Sequence, residues 1–199
     1  IIFNIYPGFL NTLSHNDFQY AFSEVFKYAL VFDNNFWNEI TNMKINKKSD
    51  YYFVLIRSIQ IKVSIVKLDY FDRDERRKLN YGHTIAHAIE SCFLKNQQPI
   101  SHGLALSVGI ICETYISYNR FHFNREILDS ITDYVLRFFP IVDISQFNQS
   151  IILTSLKLDK KNSNGKYNFT LIKKIGQSIV NCSVSEEEIF NALDYYSAI

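Results

Sequence analysis

Two histidines four residues apart, His83 and His87, are the feature that most constrains what this chain can form. They lie in residues 79–90, whose apolar spacing is that of a helix. Side chains four apart lie on the same helical face, so the two imidazoles are predicted to stack one turn apart. Gly82, directly before them, lets the backbone enter the helix closely. The sequence therefore predicts a helix that presents imidazoles on one side.

A third histidine, His102, follows a loop that carries Pro99, so three of the five histidines fall within twenty residues. The plainest interpretation of a histidine pair on a helix is a buried imidazole hydrogen-bonded to the backbone. The alternative is metal binding, because neutral imidazoles and a carboxylate suit a divalent ion such as zinc. A catalytic site of that kind needs three protein ligands and an open position for a substrate oxygen.

A carboxylate from a distant segment would complete such a site. Glu24, on a predicted helix, would do so together with two histidines such as His83 and His102. Spacing alone does not show which two histidines bind. It also leaves other acidic residues open as ligands, namely Asp72, Glu75 and Glu90.

The composition is that of an ordinary globular protein. The 199 residues are 47% hydrophobic and 21% charged, with a net charge of +1, which allows one good core and gives no indication of a nucleic-acid partner or an anionic membrane surface. Three scattered cysteines, Cys92, Cys112 and Cys182, form no CxxC pair and predict no disulfide framework. They indicate a reducing compartment, and we expect a cytoplasmic protein.

The ends and the motifs of the chain lead to further expectations. The chain begins at Ile1 with an apolar run, and we expect it to start partway through a longer protein. No signal peptide and no apolar run of about 20 residues is visible, so no membrane span is expected. Neither of the common glycine-rich phosphate-binding motifs is present.

Hydrophobic periodicity predicts one mostly α-helical domain over residues 1–199, with a small edge β-hairpin. Residues 49–68 are dense enough in apolar side chains to predict the central helix. Small residues, Ala105 and Gly109, predict close packing of the helix over 103–118. The other predicted elements are a strand over 1–5, helices over 16–32, 34–43, 123–138, 143 or 145 to 158 and from 183 or 185, and hairpin strands over 166–172 and 177–182.

Two lysines have alternative interpretations. Glu24 and Lys27 are three apart on one helix, which usually gives a weak surface ion pair, although the apolar neighbours of Glu24 place it partly inside. Lys62 falls within the apolar stripe of its helix, where a lysine usually extends its ammonium to the surface. The alternative for Lys62 is an ammonium directed into a polar pocket.

Several segments resemble one family, in the family's order and over nearly the whole chain. Ser23-Glu24-Val25 with Lys27-Tyr28 is similar to an AEVIKYG helix of the 3-dehydroquinate synthases and their sugar-phosphate cyclase relatives, and residues 158–161 are similar to a late DKK segment. The other matching residues are Lys62, Asp69, Arg76, Leu79-Asn80, Gly82-His83-Thr84, His87-Ala88-Ile89-Glu90 and His102-Gly103.

The resemblance implies a C-terminal metal- and substrate-binding domain of that fold. Glu24, His83 and His102 would hold zinc or cobalt, and His87 and Asp72 would handle protons. The residues implied to bind the phosphate, carboxylate and hydroxyls of the substrate are Lys27, Lys62, Arg76, Asn80 and Lys160. Several fixed cations near a metal suit a doubly anionic sugar phosphate.

The implied reaction belongs to the shikimate pathway of aromatic amino acid biosynthesis. A heptulosonate phosphate becomes 3-dehydroquinate and phosphate through oxidation by bound NAD, β-elimination, reduction and an internal aldol closure. The dinucleotide-binding domain of the family precedes the matched region and is absent from this chain. We therefore expect the chain to require that half, to be inactive alone, and to form a homodimer as the family commonly does.

Departures from the family pattern keep other activities open. Leu104 stands where an acidic residue usually follows His-Gly, Asp72 is shorter than the usual Glu, and Ala86 replaces the commoner Gly. Another cyclitol synthase, such as a 2-deoxy-scyllo-inosose synthase, is the first alternative. A metal-dependent alcohol dehydrogenase of related build is the second, and a helical interaction domain without metal is the third.

Overall fold

A computed structural model describes residues 6–43, 51–157 and 167–199. The predicted strand over 1–5 and the matched segment over 158–161, with Lys160, lie outside the described residues. Within them, no helix has the length and apolar character needed to cross a membrane. The helices are α1 (His15–Tyr20), α2 (Phe22–Phe32), α3 (Asn34–Asn42), α4 (Tyr51–Leu68), α5 (His83–Lys95), α6 (His102–Phe121), α7 (Arg125–Phe138), α8 (Gln149–Lys157) and α9 (Glu186–Ser197).

The two strands, β1 (Tyr167–Lys174) and β2 (Gln177–Val184), form an antiparallel hairpin. Gly176 in its turn has a φ of +81°, which favours glycine, and its N–H donates to the carbonyl of Leu30 at 2.8 Å. That bond fixes the turn against the end of α2. The prediction of a mostly helical domain with one small hairpin is confirmed.

The central helix is α6, not α4 as the apolar density of residues 49–68 predicted. Nearly every residue from Gly103 to Ser117 is buried, whereas α4 buries only Val54, Ser58 and Ile65. Helices α2, α5, α7 and α9 and strand β1 all pack around α6. Small residues permit this, because a Cβ at Gly103 would overlap the carbonyl of Tyr20 and a Cβ at Gly109 that of Gly82.

The predicted single helix over 16–32 is two helices, α1 and α2, that meet at Ala21. Ser14 caps α1, and its hydroxyl accepts from the N–H of Asp17. At this break the carbonyl of Tyr20 lies against Gly103 and accepts a hydrogen bond from the hydroxyl of Ser23 at 2.9 Å. A contact between segments distant in sequence therefore accompanies a break that local periodicity did not predict.

Two other boundaries differ from prediction. Helix α8 begins at Gln149 rather than at 143 or 145, because Asp143 accepts the N–H and hydroxyl of Ser145 in a separate turn. The helix predicted over 79–90 begins at His83 and is preceded by a 3-10 helix, Glu75–Asn80. The final helix starts as predicted, with Ser185 and Glu188 forming a capping box.

Candidate metal centre

Three helix beginnings bring a carboxylate and two imidazoles together. Glu24 lies in the first turn of α2, and His83 and His102 are the first residues of α5 and α6. Oε1 of Glu24 lies 3.3 Å from Nε2 of His83 and 3.7 Å from Nε2 of His102. One donor atom from each residue falls within 4.8 Å of the other two. Among the described residues, this is the one group with such an arrangement.

Each imidazole has an outer partner that fixes its ring. Nδ1 of His83 lies 3.1 Å from the carbonyl of Tyr81, and Nδ1 of His102 lies 3.1 Å from Oε1 of Glu90. Both partners are acceptors, so each ring donates through Nδ1 and directs Nε2 toward Glu24, where Nε2 can donate to the carboxylate when protonated and bind a metal ion when it is not. The plainest interpretation, a histidine hydrogen-bonded to the backbone, thus holds for Nδ1 of His83. Its Nε2 faces Glu24 and is in position to bind a metal ion.

Glu24 is ionised within this group. Its Oε2 lies 2.6 Å from Nζ of Lys27, which is almost fully buried, so the surface ion pair that the spacing favoured is wrong. Burial raises the pKa of the Glu24 carboxyl, but hydrogen bonds from His102 and His83 and the Lys27 ammonium lower it well below its ordinary value. Burial lowers the pKa of Lys27, and the Glu24 carboxylate opposes that effect.

The start of α5 depends on a residue that the sequence analysis did not select. Glu113, fully buried on α6, accepts from the N–H of Gly82 at 2.7 Å and that of Ile85 at 3.4 Å. Gly82 has a φ of +79°, where a side chain would be strained. A carboxylate at a helix N-terminus is stabilised by the unpaired N–H groups. The available signal was an acidic residue inside the apolar run of residues 103–118.

His87 lies one turn beyond His83, as predicted, but outside the three-residue group. Its side chain is exposed, and the centroid of its ring lies 5.5 Å from that of His83 and 6.2 Å from that of His102. His87 therefore lies beside the candidate ligands, where it can exchange protons with solvent.

The predicted substrate-binding residues in the described part of the chain border one cavity of about 270 Å³ next to Glu24 and His83. Lys62 is exposed on α4 and borders it, so the apolar stripe does not bury its ammonium. Tyr28, which is buried, also lines the cavity. The pKa of its phenol is raised, mainly by burial and also by the neighbouring Glu24 carboxylate. The other predicted residues that line the cavity are Lys27, Asp72, Arg76 and Asn80.

Asp69 organises the loop that carries two of these residues. Its carboxylate accepts from the backbone N–H groups of Arg73, Asp74 and Arg76 at 2.8–3.0 Å. Within this loop Asp72 has a φ of +56°, and Arg76 donates to the carbonyl of Tyr70 at 3.2 Å. The loop therefore holds Asp72 and Arg76 at the rim of the cavity.

The donors fit a catalytic zinc or cobalt ion. One carboxylate and two neutral imidazoles form a set of three protein ligands, which leaves a position for a substrate oxygen. Outer acceptors on both imidazoles are the usual support for histidine ligands. The remaining acidic candidates, Asp72, Glu75 and Glu90, are not in the three-residue group.

A family model described as the 3-dehydroquinate synthase C-terminal region matches residues 21–162. Two curated relatives bear the name 3-dehydroquinate synthase. The protein of Parabacteroides distasonis is 31% identical over 190 residues, covering 94% of this chain and 54% of the relative. That of Thermodesulfovibrio yellowstonii is 32% identical over 190 residues, with 93% and 52% covered. The chain thus spans about half the length of these relatives.

Solved structures share the fold at lower identity. A 2-epi-5-epi-valiolone synthase from Streptomyces hygroscopicus subsp. jinggangensis, with NAD+ and Zn2+ bound, superposes with a TM-score of 0.78 at 21% identity, over 96% of this chain and 54% of that one. A 2-deoxy-scyllo-inosose synthase, in complex with carbaglucose-6-phosphate, NAD+ and Co2+, gives a TM-score of 0.72 at 19% identity, with 92% and 53% covered.

Proposed function

This chain belongs to the 3-dehydroquinate synthase family, and from that premise we propose that it is the metal- and substrate-binding half of a sugar-phosphate cyclase. The proposed reaction converts 3-deoxy-arabino-heptulosonate 7-phosphate to 3-dehydroquinate and phosphate, in the shikimate pathway. The observation that carries this proposal is the meeting of Glu24, His83 and His102 at three helix beginnings beside a cavity rich in cations.

In this proposal Glu24, His83 and His102 hold a zinc or cobalt ion. When bound, that ion supplies a Lewis acid that polarises a substrate hydroxyl or carbonyl. Hydride transfer belongs to NAD, held mostly by the N-terminal half that the relatives carry. That half is a proposed partner, and we expect this chain alone to be inactive.

The cationic residues bind the anionic groups of the substrate. The cavity is bordered by Lys27 of α2, Lys62 of α4 and Arg76 of the 3-10 helix before α5, so three separate elements bring positive charge to it. Lysine acts as a point charge for phosphate, whereas arginine can bind a carboxylate through two parallel hydrogen bonds. Asn80 binds a hydroxyl. The family resemblance also implies Lys160, which lies outside the described residues, as a substrate-binding cation.

Proton transfer is assigned to His87 and Asp72. His87 is exposed beside the two ligand imidazoles, which allows it to pass protons between substrate and solvent. Asp72 is at the cavity rim in the loop organised by Asp69. Both are expected to affect turnover without affecting the affinity for the metal.

A cyclase of another sugar phosphate is the second candidate. Leu104, two residues after His102 in the first turn of α6, is half-buried, and the family resemblance implies an acidic side chain at that position. The dehydroquinate reaction is favoured because the curated relatives at 31–32% identity bear that name. We also propose that the protein is cytoplasmic and forms a homodimer. Sedimentation of the purified protein would test the homodimer.

The test joins this chain to the N-terminal half of a curated relative and measures inorganic phosphate release. Release from the heptulosonate phosphate without net consumption of NADH supports the proposal. Release only from a hexose phosphate would replace it with a cyclitol synthase, and net NADH oxidation by an aldehyde would indicate an alcohol dehydrogenase.

Metal content provides an independent test on the chain itself. We expect wild-type protein to bind a single zinc ion, and Glu24→Ala, His83→Ala and His102→Ala to lose it. His87→Ala is expected to retain zinc but lose turnover in the joined enzyme. The matched control is His15→Ala, an exposed histidine at the start of α1. Equal zinc binding by wild type and Glu24→Ala would contradict the proposed centre.

A further inference from the structure

Glu90 is the acidic residue of the matched segment over 79–90 that neither the ligand set nor the cavity uses. It lies on α5 seven residues after His83, two helical turns away on the same face. Its Oε1 lies 3.1 Å from Nδ1 of His102, on the side of the ring that faces away from Glu24. One face of α5 thus carries a candidate ligand, a proton-handling histidine and a carboxylate that contacts a ligand from another helix.

The contact differs from an ordinary surface ion pair because both nitrogens of His102 have a carboxylate partner. Nε2 lies 3.7 Å from Glu24 and Nδ1 lies 3.1 Å from Glu90. The side chain of His102 is 44% exposed, whereas that of His83 is 13% exposed. The orientation of His102 therefore depends more on hydrogen bonds.

We propose that Glu90 is a positioning residue for the metal centre, acting through His102. By accepting a hydrogen bond from Nδ1–H, its carboxylate favours the neutral tautomer that leaves the Nε2 lone pair for a metal ion, and it keeps Nε2 directed toward Glu24. The negative charge also makes the imidazole a stronger ligand. This inference rests on the proposed function, because it requires that Glu24, His83 and His102 bind a metal ion.

His83 has the weaker form of the same support. Its Nδ1 donates to the neutral carbonyl of Tyr81, whereas His102 donates to a carboxylate. Backbone support comes with the fold at the start of α5 and cannot be removed by substitution. The support from Glu90 comes from a side chain that can be changed, so its contribution can be measured.

The experiment measures the zinc affinity of the full chain by competition with a chromogenic chelator at fixed pH. Glu90→Ala removes the acceptor and is expected to weaken zinc binding by about 10–100-fold. Glu90→Gln retains an acceptor oxygen without the charge and is expected to fall between Glu90→Ala and wild type. Glu187→Ala removes an exposed carboxylate on α9 and is expected to bind zinc as wild type does.

A second measurement separates positioning from general stability. Nitrogen-15 spectra of the metal-free protein, recorded at a pH high enough for the His102 imidazole to be neutral, report which ring nitrogen of His102 carries the proton. We expect the Nδ1–H tautomer in wild type and Glu90→Gln, and a mixture of tautomers in Glu90→Ala. If Glu90→Ala fails to fold by circular dichroism, Glu90→Gln decides the affinity comparison on its own.

The outcomes distinguish the two proposals. Zinc binding by wild type with unchanged affinity in both Glu90 variants would overturn the role of Glu90 and leave the metal centre intact. An equal loss in Glu187→Ala would overturn it as well, because the effect would then be one of net charge. A wild-type chain that binds no zinc would overturn both proposals.

Discussion

Gly109 of α6 lies directly against the carbonyl oxygen of Gly82, so that a Cβ at residue 109 would overlap that oxygen. The contact joins the middle of the central helix to the residue that precedes His83. Because the obstructing atoms belong to backbone, no side-chain rotation can make room. The distance between α5 and α6, and with it the approach of His83 to His102, therefore depends on the absence of a side chain at residue 109.

Gly109→Ala is expected to lower the free energy of unfolding by about 2–3 kcal/mol, as overpacking of a rigid core contact does. It should also weaken zinc binding, because α5 must shift away from α6. Urea unfolding and chelator competition measure the two effects. Asn119→Ala, at an exposed position on the same helix, is the control. A Gly109→Ala protein as stable as wild type would contradict the close contact.

Glu113→Ala is expected to be more damaging, with a loss of about 2–4 kcal/mol, because it leaves the N–H groups of Gly82 and Ile85 buried without their acceptor. Glu113→Gln retains one acceptor oxygen and should cost less. Urea unfolding of the two variants gives the comparison. If Glu113→Gln and Glu113→Ala lower the free energy of unfolding equally, the hydrogen bonds between Glu113 and the start of α5 are not the source of the stability.

Patterns along the chain were sufficient for the helical class, the hairpin and the face that carries His83 and His87. The break at Ala21 was not predictable from periodicity, because α1 and α2 have compatible apolar spacing and the contact of Tyr20 with Gly103 is long-range. The central position of α6 was missed for a similar reason. Apolar density in α4 does not distinguish a helix buried on all sides from one with exposed Phe53 and Ile56.

The sequence predicted that histidines and a carboxylate form the candidate site. It did not predict which side chain each acidic residue contacts. Spacing alone left Glu24, Asp72, Glu75 and Glu90 equivalent as carboxylates, and the family resemblance was needed to favour Glu24. The tertiary structure separates them, since Glu90 contacts the outer nitrogen of His102 and Glu75 forms an ion pair with Lys78 at 2.7 Å. Glu113 contacts residues 28 to 31 positions away, and no local pattern encodes such a partner.

Asp69→Ala is expected to loosen the loop at the cavity rim with little effect on global stability. The three N–H groups that it binds would exchange with solvent, so amide hydrogen exchange at Arg73, Asp74 and Arg76 should become faster. Those hydrogen bonds lower the pKa of the Asp69 carboxyl, so in wild type the same change should appear only when the pH falls through that lowered pKa and the carboxyl becomes protonated. Asp74→Ala is the control, since the Asp74 side chain does not cap the 3-10 helix. Equal exchange in both variants would refute the role of Asp69.

Glu188 joins α9 to α6 through an ion pair that should make stability depend on pH. Its Oε1 and Oε2 lie 2.5 and 2.7 Å from Nη2 of Arg120. Burial raises the pKa of the carboxyl, but the N–H of Ser185 and the Arg120 guanidinium outweigh it and lower the pKa below the ordinary 4.5. A lowered pKa in the folded state means that the stabilisation is complete above about pH 4.5 and disappears as the pH falls through the folded-state value.

Glu188→Gln is therefore expected to cost about 1 kcal/mol of unfolding free energy at pH 7. The difference from wild type should begin to shrink below about pH 4.5 and approach zero once the pH has fallen below the lowered folded-state pKa, where wild-type Glu188 becomes neutral as well. Urea unfolding of both proteins between these pH values is the measurement, with Glu187→Gln as the neighbouring control. A difference that stays constant over this range would show that the ionised Glu188–Arg120 pair does not stabilise the fold.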